Sequence, residues 1–309
     1  MTERPHRPIK IDVDGVLLLD KACGISSNHA LQQVRRLYQA KKAGHTGVLD
    51  PLATGLLPVC FGQATKFAQY LLDADKSYIA TLKLGEATTT GDAEGEIIQV
   101  LPVRCSSFDF ETIMKSFIGT INQLPPMYSA LKHQGKPLYE YARQGIEIER
   151  KSREITIHDI TLMSFSDTEV QIKVSCSKGT YIRTLAEDIA KAAGTVAHLT
   201  ALCRTSTAGF ELTHAYSYDV LSEQSAEERM QKLLPCDILV AHFPKIILDN
   251  AQSIRLKQGQ IVQTNKEYVK LEKFRIYDTE NVFIGMGEID QTGQIKALRL
   301  INTALDGAI

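Results

Sequence analysis

Asp50 is the residue of this chain whose setting points most directly to chemistry. It lies in the run Gly44-His-Thr-Gly-Val-Leu-Asp-Pro-Leu-Ala-Thr-Gly-Leu-Leu-Pro58, among Gly44, Gly47 and Gly55, with His45 as the run's other ionisable side chain. Val48, Leu49, Leu52, Leu56 and Leu57 make the rest of the run apolar. A carboxylate in an apolar, glycine-shaped loop is costly to hold unless it is paired or used. Ionised, it serves as a nucleophile or a general base. A plainer reading competes: Asp-Pro commonly opens a helix, with aspartate as N-cap and proline at the first helical position. The residue before a proline is pushed towards extended backbone, so Asp50 belongs on a bend. Rigidly placed loops are also where reactive groups tend to sit. The local pattern leaves both readings open.

The elements around that loop read as a mixed α+β sheet. Val16–Leu19 is a short buried strand. Ser26 or Ser27 caps a helix with Leu31, Val34, Leu37 and Tyr38 on its inner stripe, ending with Lys41 and Lys42 before Gly44. Thr65–Leu72 follows as a helix. Tyr78, Ala80, Leu82 and Leu84 alternate with Ile79, Thr81 and Lys83 as a strand, with which Glu96–Leu101 is expected to pair across Gly91–Gly95. Phe110–Ile118 is a further helix. Ile155–Leu162 and Val170–Cys176 are two more strands, joined through 164–168, and a helix over Thr184–Ala193 ends at Gly194. Hairpin-like connections in mixed order favour a mainly antiparallel sheet over a doubly wound one.

Two segments stand apart. Residues 124–153 carry Pro125, Pro126, Gly135, Pro137 and Gly145, which preclude a long helix, together with Tyr128, Tyr139 and Tyr141. A long basic, aromatic insertion of this kind is expected to be functional. From Pro244 the chain turns to short β-like runs: Ile246–Leu248, Glu267–Leu271, Arg275–Tyr277, Val282–Met286 and Ala297–Ile301. The first residues, with Pro5 and Pro8, read as a loose tail. The expected division is therefore a tail over 1–12, a catalytic domain over 13–243 with its insertion at 124–153, and a small domain over 244–309.

Bulk properties exclude several classes. With 44% hydrophobic and 23% charged residues the chain is an ordinary globular one, long enough for two domains. No apolar run approaches bilayer length and the start lacks a signal-peptide core, so the expected location is the cytoplasm. The six cysteines are scattered without a Cys-x-x-Cys pair, which argues against zinc and against a disulfide framework. Net charge is only −1, yet the charge is uneven. Residues 21–45 hold Lys21, Arg35, Arg36, Lys41 and Lys42 with no acid, and 124–153 hold six basic residues against Glu140, Glu147 and Glu149. Two local basic surfaces suit a polyanion held on one face, or are simply solvated helix faces.

The Gly44–Gly55 run closely resembles the catalytic motif of the TruB family of tRNA pseudouridine synthases. Four more blocks agree in order: Gly15-Val-Leu-Leu-Leu-Asp-Lys21 with Gly24-Ile-Ser-Ser27; Lys76-Ser-Tyr78; Pro125-Pro-Met-Tyr-Ser-Ala-Leu-Lys132; and Gly179-Thr-Tyr-Ile-Arg-Thr-Leu185. The resemblance implies cleavage of the C1′–N1 bond of a T-loop uridine, position 55 of tRNA, rotation of the base and formation of the C1′–C5 bond. It implies Asp50 as the essential carboxylate, Arg183 as its basic partner and Tyr78 stacked on the target base with a later part in losing the C5 proton. Tyr181 and Leu202 would line the uridine pocket, and His45 would fill the gap the nucleotide leaves. Lys21 and Lys132 match basic positions near the site, where phosphate contact and structural support compete. The segment 124–153 would be a thumb loop closing over RNA, and 244–309 a PUA-like RNA-binding domain.

Cys203 departs from the pattern, since many relatives carry two basic residues at 203 and 204. No metal or other cofactor is expected, because the isomerisation imports no group and no phosphate-binding loop is present. The expected partner is the tRNA T stem-loop, bound by a monomer with no obligate protein partner. The rival is a non-catalytic RNA-binding or tRNA-folding protein on the same scaffold. An aspartate-dependent hydrolase lacks a second carboxylate at matching spacing.

Overall fold

The computed structural model describes residues 9–263, 273–290 and 292–302. Its centre is a ten-stranded sheet. From edge to edge run Tyr216–Ser217, Gly15–Lys21, Thr54–Phe61, Ala197–Thr207, Lys76–Leu84, Glu169–Cys176, Arg153–Phe165 and Gly119–Gln123. Ala43–His45 and Phe210–Glu211 add to the second long strand and to Ala197–Thr207. Only the pairings of Gly15–Lys21 with Tyr216–Ser217 and of Thr54–Phe61 with Ala197–Thr207 are parallel. The sheet is thus mixed and mainly antiparallel, as the sequence predicts.

The second parallel pairing is two residues long, Cys203 with Thr54 and Arg204 with Gly55. Gly55 permits it: its φ is +96°, and a Cβ there would stand 2.4 Å from the Arg204 carbonyl oxygen. The halves of the sheet meet at this narrow seam, and the Asp50 loop leads directly into it.

Burial explains the two kinds of strand pattern. Lys76–Leu84 buries Tyr78, Ala80, Leu82 and Leu84 on one face. Gly15–Lys21 and Thr54–Phe61 are covered on both faces and read as continuous apolar runs. Leu17, Leu19, Leu57 and Val59 share one core with Leu31 and Val34 of the helix Ser27–Leu37. Val16, Leu18, Leu56 and Cys60 share another with Phe67, Leu71 and Met286.

Several elements differ from their sequence prediction. The Ser26-capped helix stops at Leu37 because Gln39 turns left-handed at φ 52°, so Arg35 and Arg36, not Lys41 and Lys42, meet the negative end of its dipole. Thr65–Leu72 is two 3₁₀ turns, Gly62–Lys66 and Ala68–Leu71, hinged where Phe67 is driven into the second core. Ile97–Val100 pairs with Glu86–Thr88, since both edges of Lys76–Leu84 are taken by Glu169–Cys176 and Ala197–Thr207. The helix expected over Thr184–Ala193 begins at Ile182, which places Arg183 in its first turn. Ile11, assigned to the loose tail, bridges to Ala40.

The C-terminal strands Lys245–Ile247, Phe274–Tyr277, Phe283–Ile289, Gln294–Leu300 and Val262–Gln263 form a separate five-stranded sheet. A helix the sequence reading did not anticipate, Asn250–Lys257, is set by a capping box of Asp249 and Gln252. The expected run Glu267–Leu271 lies outside the described residues. This sheet docks through Phe67 against Phe283, ring centroids 5.3 Å apart, and through the Lys66 ammonium, which donates to the Leu300 carbonyl at 2.8 Å. Among the described residues no helix is long and apolar enough to cross a membrane.

The seam yields a direct prediction. Gly55→Ala is expected to lower stability by about 1–3 kcal/mol, the cost of overpacking. Urea unfolding checks it, and an unchanged midpoint and slope would show that the seam has room to spare.

Candidate active site

Asp50 caps no helix. Ala53 N–H donates to the Asp50 carbonyl at 3.1 Å in a turn, and the next element is the strand from Thr54. The loop is pinned on both sides of the carboxylate. Ser27 Oγ donates to the Leu49 carbonyl at 2.9 Å and accepts from the Leu49 N–H at 2.7 Å. Gly24 N–H donates to the Pro51 carbonyl at 2.9 Å, and Cys23 Sγ to the Leu52 carbonyl at 3.3 Å. Backbone held this firmly leaves little freedom except in the Asp50 side chain itself.

That side chain meets Arg183, Oδ2 to Nη2, at 2.9 Å. The guanidinium is 7% exposed and the carboxylate 43%, so the pair lies at a wall rather than in the core. Arg183 Nη2 also donates to the Tyr128 carbonyl at 2.8 Å. Nη1 donates to the Thr90 carbonyl at 2.9 Å and stands 3.5 Å from Asp92 Oδ2. Each terminal nitrogen therefore faces one carbonyl and one carboxylate, which matches the four N–H groups they carry. The geometry suits arginine and not lysine, whose single ammonium cannot address two diverging pairs. Arg183 sits at the positive end of the helix Ile182–Ala192, which adds to the field holding both anions.

Asp92 is the buried member of the group, 4% exposed, and accepts from Thr90 Oγ1 at 2.5 Å and from the Glu94 N–H at 3.1 Å. Glu94 lines the cavity beside it, and its carboxyl is pushed up by burial and then by the charges of Asp92 and Asp50. Among the described residues no group of three or more His, Cys, Asp or Glu side chains could hold a metal ion.

Asp50 and Arg183 form part of the walls of two adjoining cavities. One, about 210 Å³, is lined by Tyr78, Tyr181, Leu202, Lys76 and Arg204. The other, about 450 Å³, is lined by His45, Asp92, Glu94, Tyr139 and Arg143. The smaller carries two aromatic side chains, Tyr78 and Tyr181, in its walls. Burial pushes the Tyr78 phenol up, and the adjacent Arg204 guanidinium opposes that shift. Tyr181 is held through its backbone: Gln123 Oε1 accepts from its N–H at 2.8 Å, and Gln123 Nε2 donates to its carbonyl at 3.1 Å.

Of the residues singled out from sequence, Asp50, Arg183, Tyr78, Tyr181 and Leu202 come together in this way, and His45 lies in the larger cavity. Burial, then the charge of Arg204, pushes the His45 imidazole down, and its Nδ1 is buried without a partner. Lys21 is not on an RNA-facing surface. It is 1% exposed, and its ammonium donates to the carbonyls of Ile25 at 2.6 Å, Ala22 at 2.9 Å and Pro51 at 3.4 Å. Support of the Asp50 loop is the alternative that this geometry matches. Lys132 is not brought to Asp50 either; it is exposed and lines a separate cavity of about 230 Å³ with Arg150, Lys151 and Arg153.

Comparison with known proteins shows the family. Residues 35–182 match the model described as TruB family pseudouridylate synthase (N terminal domain), and 244–301 match pseudouridine synthase II TruB, C-terminal. A protein named tRNA pseudouridine synthase B from Neisseria meningitidis serogroup A is 55% identical over 304 residues, 98% of this chain and 99% of its own. The chain belongs to the TruB family. A second member with that name, from Chromobacterium violaceum, is 51% identical over 290 residues, covering 94% of this chain and 95% of its own. The fold is also that of a chain in a Cbf5-Nop10-Gar1 complex, with TM-score 0.70 at 24% identity, over 96% of this chain and 86% of that one. A structure of an H/ACA RNP bound to a substrate RNA containing 2′-deoxyuridine aligns with TM-score 0.67 at 19% identity, over 97% and 93%.

Within the TruB fold the sequence reading missed Asp92, Thr90, Gln123 and Arg204. The signal for Asp92 was an acid inside Thr88-Thr-Thr-Gly-Asp92, a loop rich in short side chains that hydrogen-bond locally. Nothing local marks Arg204, whose cross-strand neighbour is Tyr78. The shared guanidinium makes a measurable prediction. Arg183→Met is expected to cost about 3–5 kcal/mol by stranding Asp92. Adding Asp92→Asn should recover part of that loss in urea unfolding, whereas additive losses would mean that the two side chains are uncoupled.

Proposed function

We propose that this chain is a tRNA pseudouridine synthase that isomerises the T-loop uridine at position 55, with Asp50 as the essential carboxylate. The observation that carries the reading is the Asp50–Arg183 pair, 2.9 Å apart, at the wall of a pocket lined by Tyr78, Tyr181 and Leu202. The uridine leaves its loop and its base enters this pocket. Extrusion costs a few kcal/mol, and stacking on an aromatic side chain such as Tyr78 returns about 1–3 kcal/mol. His45 takes the space vacated in the RNA.

The Asp50 carboxylate acts at the ribose while Arg183, 2.9 Å away, fixes its direction. C1′–N1 cleavage leaves negative charge on the uracil, which turns within the pocket until C5 faces C1′. Tyr78 then accepts the C5 proton. All bonds made and broken lie within one nucleotide, so the walls need only position the pieces and exclude water. Lys21 supports the Asp50 loop, and Lys132 meets phosphate with Arg150, Lys151 and Arg153.

In this reading 13–243 is the catalytic domain, 124–153 a thumb that closes over the T stem-loop, and 244–309 a PUA-like RNA-binding domain. The substrate is recognised by the shape and phosphates of a folded stem-loop. The protein works as a monomer in the cytoplasm without an obligate protein partner. A binding or folding role alone does not account for a carboxylate and a guanidinium paired beside a base-sized pocket, because a carboxylate repels RNA phosphates.

Incubation with an unmodified tRNA transcript, followed by mapping of pseudouridine, tests the reading. The native chain is expected to modify position 55. Asp50→Asn should form no product while binding the transcript with native affinity, and Arg183→Ala should lose about 10²-fold or more in rate, the low end for a positioned acid–base group. An active Asp50→Asn variant would refute the assignment.

A further inference from the structure

Arg204 has no task in the scheme above, yet it is a deeply buried cation. It is 1% exposed, and its Nε donates to the Leu56 carbonyl at 2.7 Å. Its Nη2 is buried with no hydrogen-bond partner, and among the described residues no carboxylate stands within ion-pair distance of it. A buried guanidinium cannot shed its proton to escape the cost of desolvation. Such a charge persists where a negative charge arises next to it. The register identifies the neighbour: Arg204 and Tyr78 are direct cross-strand partners, and both line the cavity that Asp50 borders.

We propose that Arg204 is a positioning residue that acts through Tyr78, its charge stabilising the phenolate that removes the C5 proton in the last step. This rests on the reading of Tyr78 given above. Once the C1′–C5 bond has formed, C5 carries a hydrogen and N1 is doubly bonded to C6. The Tyr78 phenolate takes that hydrogen as a proton, and the C5–H electron pair becomes the C5=C6 double bond. The displaced N1=C6 pair moves onto N1, which takes a proton from water. The hydroxide so formed deprotonates the Tyr78 phenol, restoring phenolate and water.

The groups facing the phenol divide cleanly. Asp50 from its loop and Cys176 from the adjacent strand disfavour a negative charge on Tyr78, as does burial, while Arg204 favours it. Lys76, on the strand of Tyr78 itself, lines the same cavity, but its ammonium donates to the Leu72 and Ala74 carbonyls. Gly55 holds the Arg204 backbone against the Asp50 strand, so the guanidinium and the carboxylate loop are set by one seam.

The test is single-turnover conversion of a T stem-loop RNA carrying hydrogen or deuterium at C5 of the target uridine. Arg204→Met is expected to slow product formation by about tenfold or more, the change in phenolate for one pKa unit. It should also show a C5-deuterium isotope effect larger than the native one and a rate that keeps rising to higher pH. Arg204→Lys, which retains a charge, should fall between the two on every readout. A variant slowed with the isotope effect unchanged, or not slowed at all, would overturn the proposal. Should Arg204→Met fail to fold, Arg204→Gln and Arg204→Lys give the same comparison, with equal isotope effects in both and in the native chain as the contrary result. Native C5-proton loss in Tyr78→Phe would instead overturn the reading of Tyr78 itself, and this inference with it.

Discussion

One guanidinium ties the site together. Arg183 faces the Tyr128 and Thr90 carbonyls and the Asp50 and Asp92 carboxylates, four acceptors from three loops far apart in sequence. A desolvated arginine tolerates no vacant partner cheaply, so each loop is fixed by the other two. The arrangement joins the insertion carrying Tyr128 to the carboxylate loop through a single side chain. The placement of that insertion and the setting of Asp50 are thereby linked.

The sheet supplies the place where this can happen. Its two halves pair in register at only two positions, and Gly55 is the residue that lets the backbones approach. The Asp50 loop enters this seam from one half, while Tyr78, Leu202 and Arg204 come from the strands of the other. Lys21, through the Pro51 carbonyl, and Ser27, through Leu49, pin the loop, so its geometry is inherited from the strand and helix that flank it. The C-terminal sheet braces the opposite face of the same strands through Phe67, Phe283 and Met286.

Much of this was legible in the residues. Alternation in Tyr78–Leu84 and the capping serine before the first helix follow from local physics, and both elements stand where the pattern puts them. The pairing of Asp50 with Arg183 came from resemblance to a family, because nothing local in Gly-Thr-Tyr-Ile-Arg announces a buried counter-charge. What stayed hidden was long-range. Asp92 becomes a second anion for Arg183 only through a contact across 91 positions, and Lys21 leaves phosphate contact and structural support equally open until three carbonyls converge on it. Glu96–Leu101 was assigned to the wrong partner because sequence does not say that both edges of the central strand are already occupied. Arg204 was hidden for the same reason: its partner Tyr78 is a register neighbour, not a sequence neighbour.

The most direct measurement is a crystal structure of the Asp50→Asn chain bound to a T stem-loop RNA. The target uracil is expected outside its loop and between Tyr78, Tyr181 and Leu202, with the Arg183 guanidinium still spanning positions 50 and 92 beneath the ribose. A uridine stacked within its loop at full occupancy of the complex, or Arg183 turned away from position 50, would contradict it.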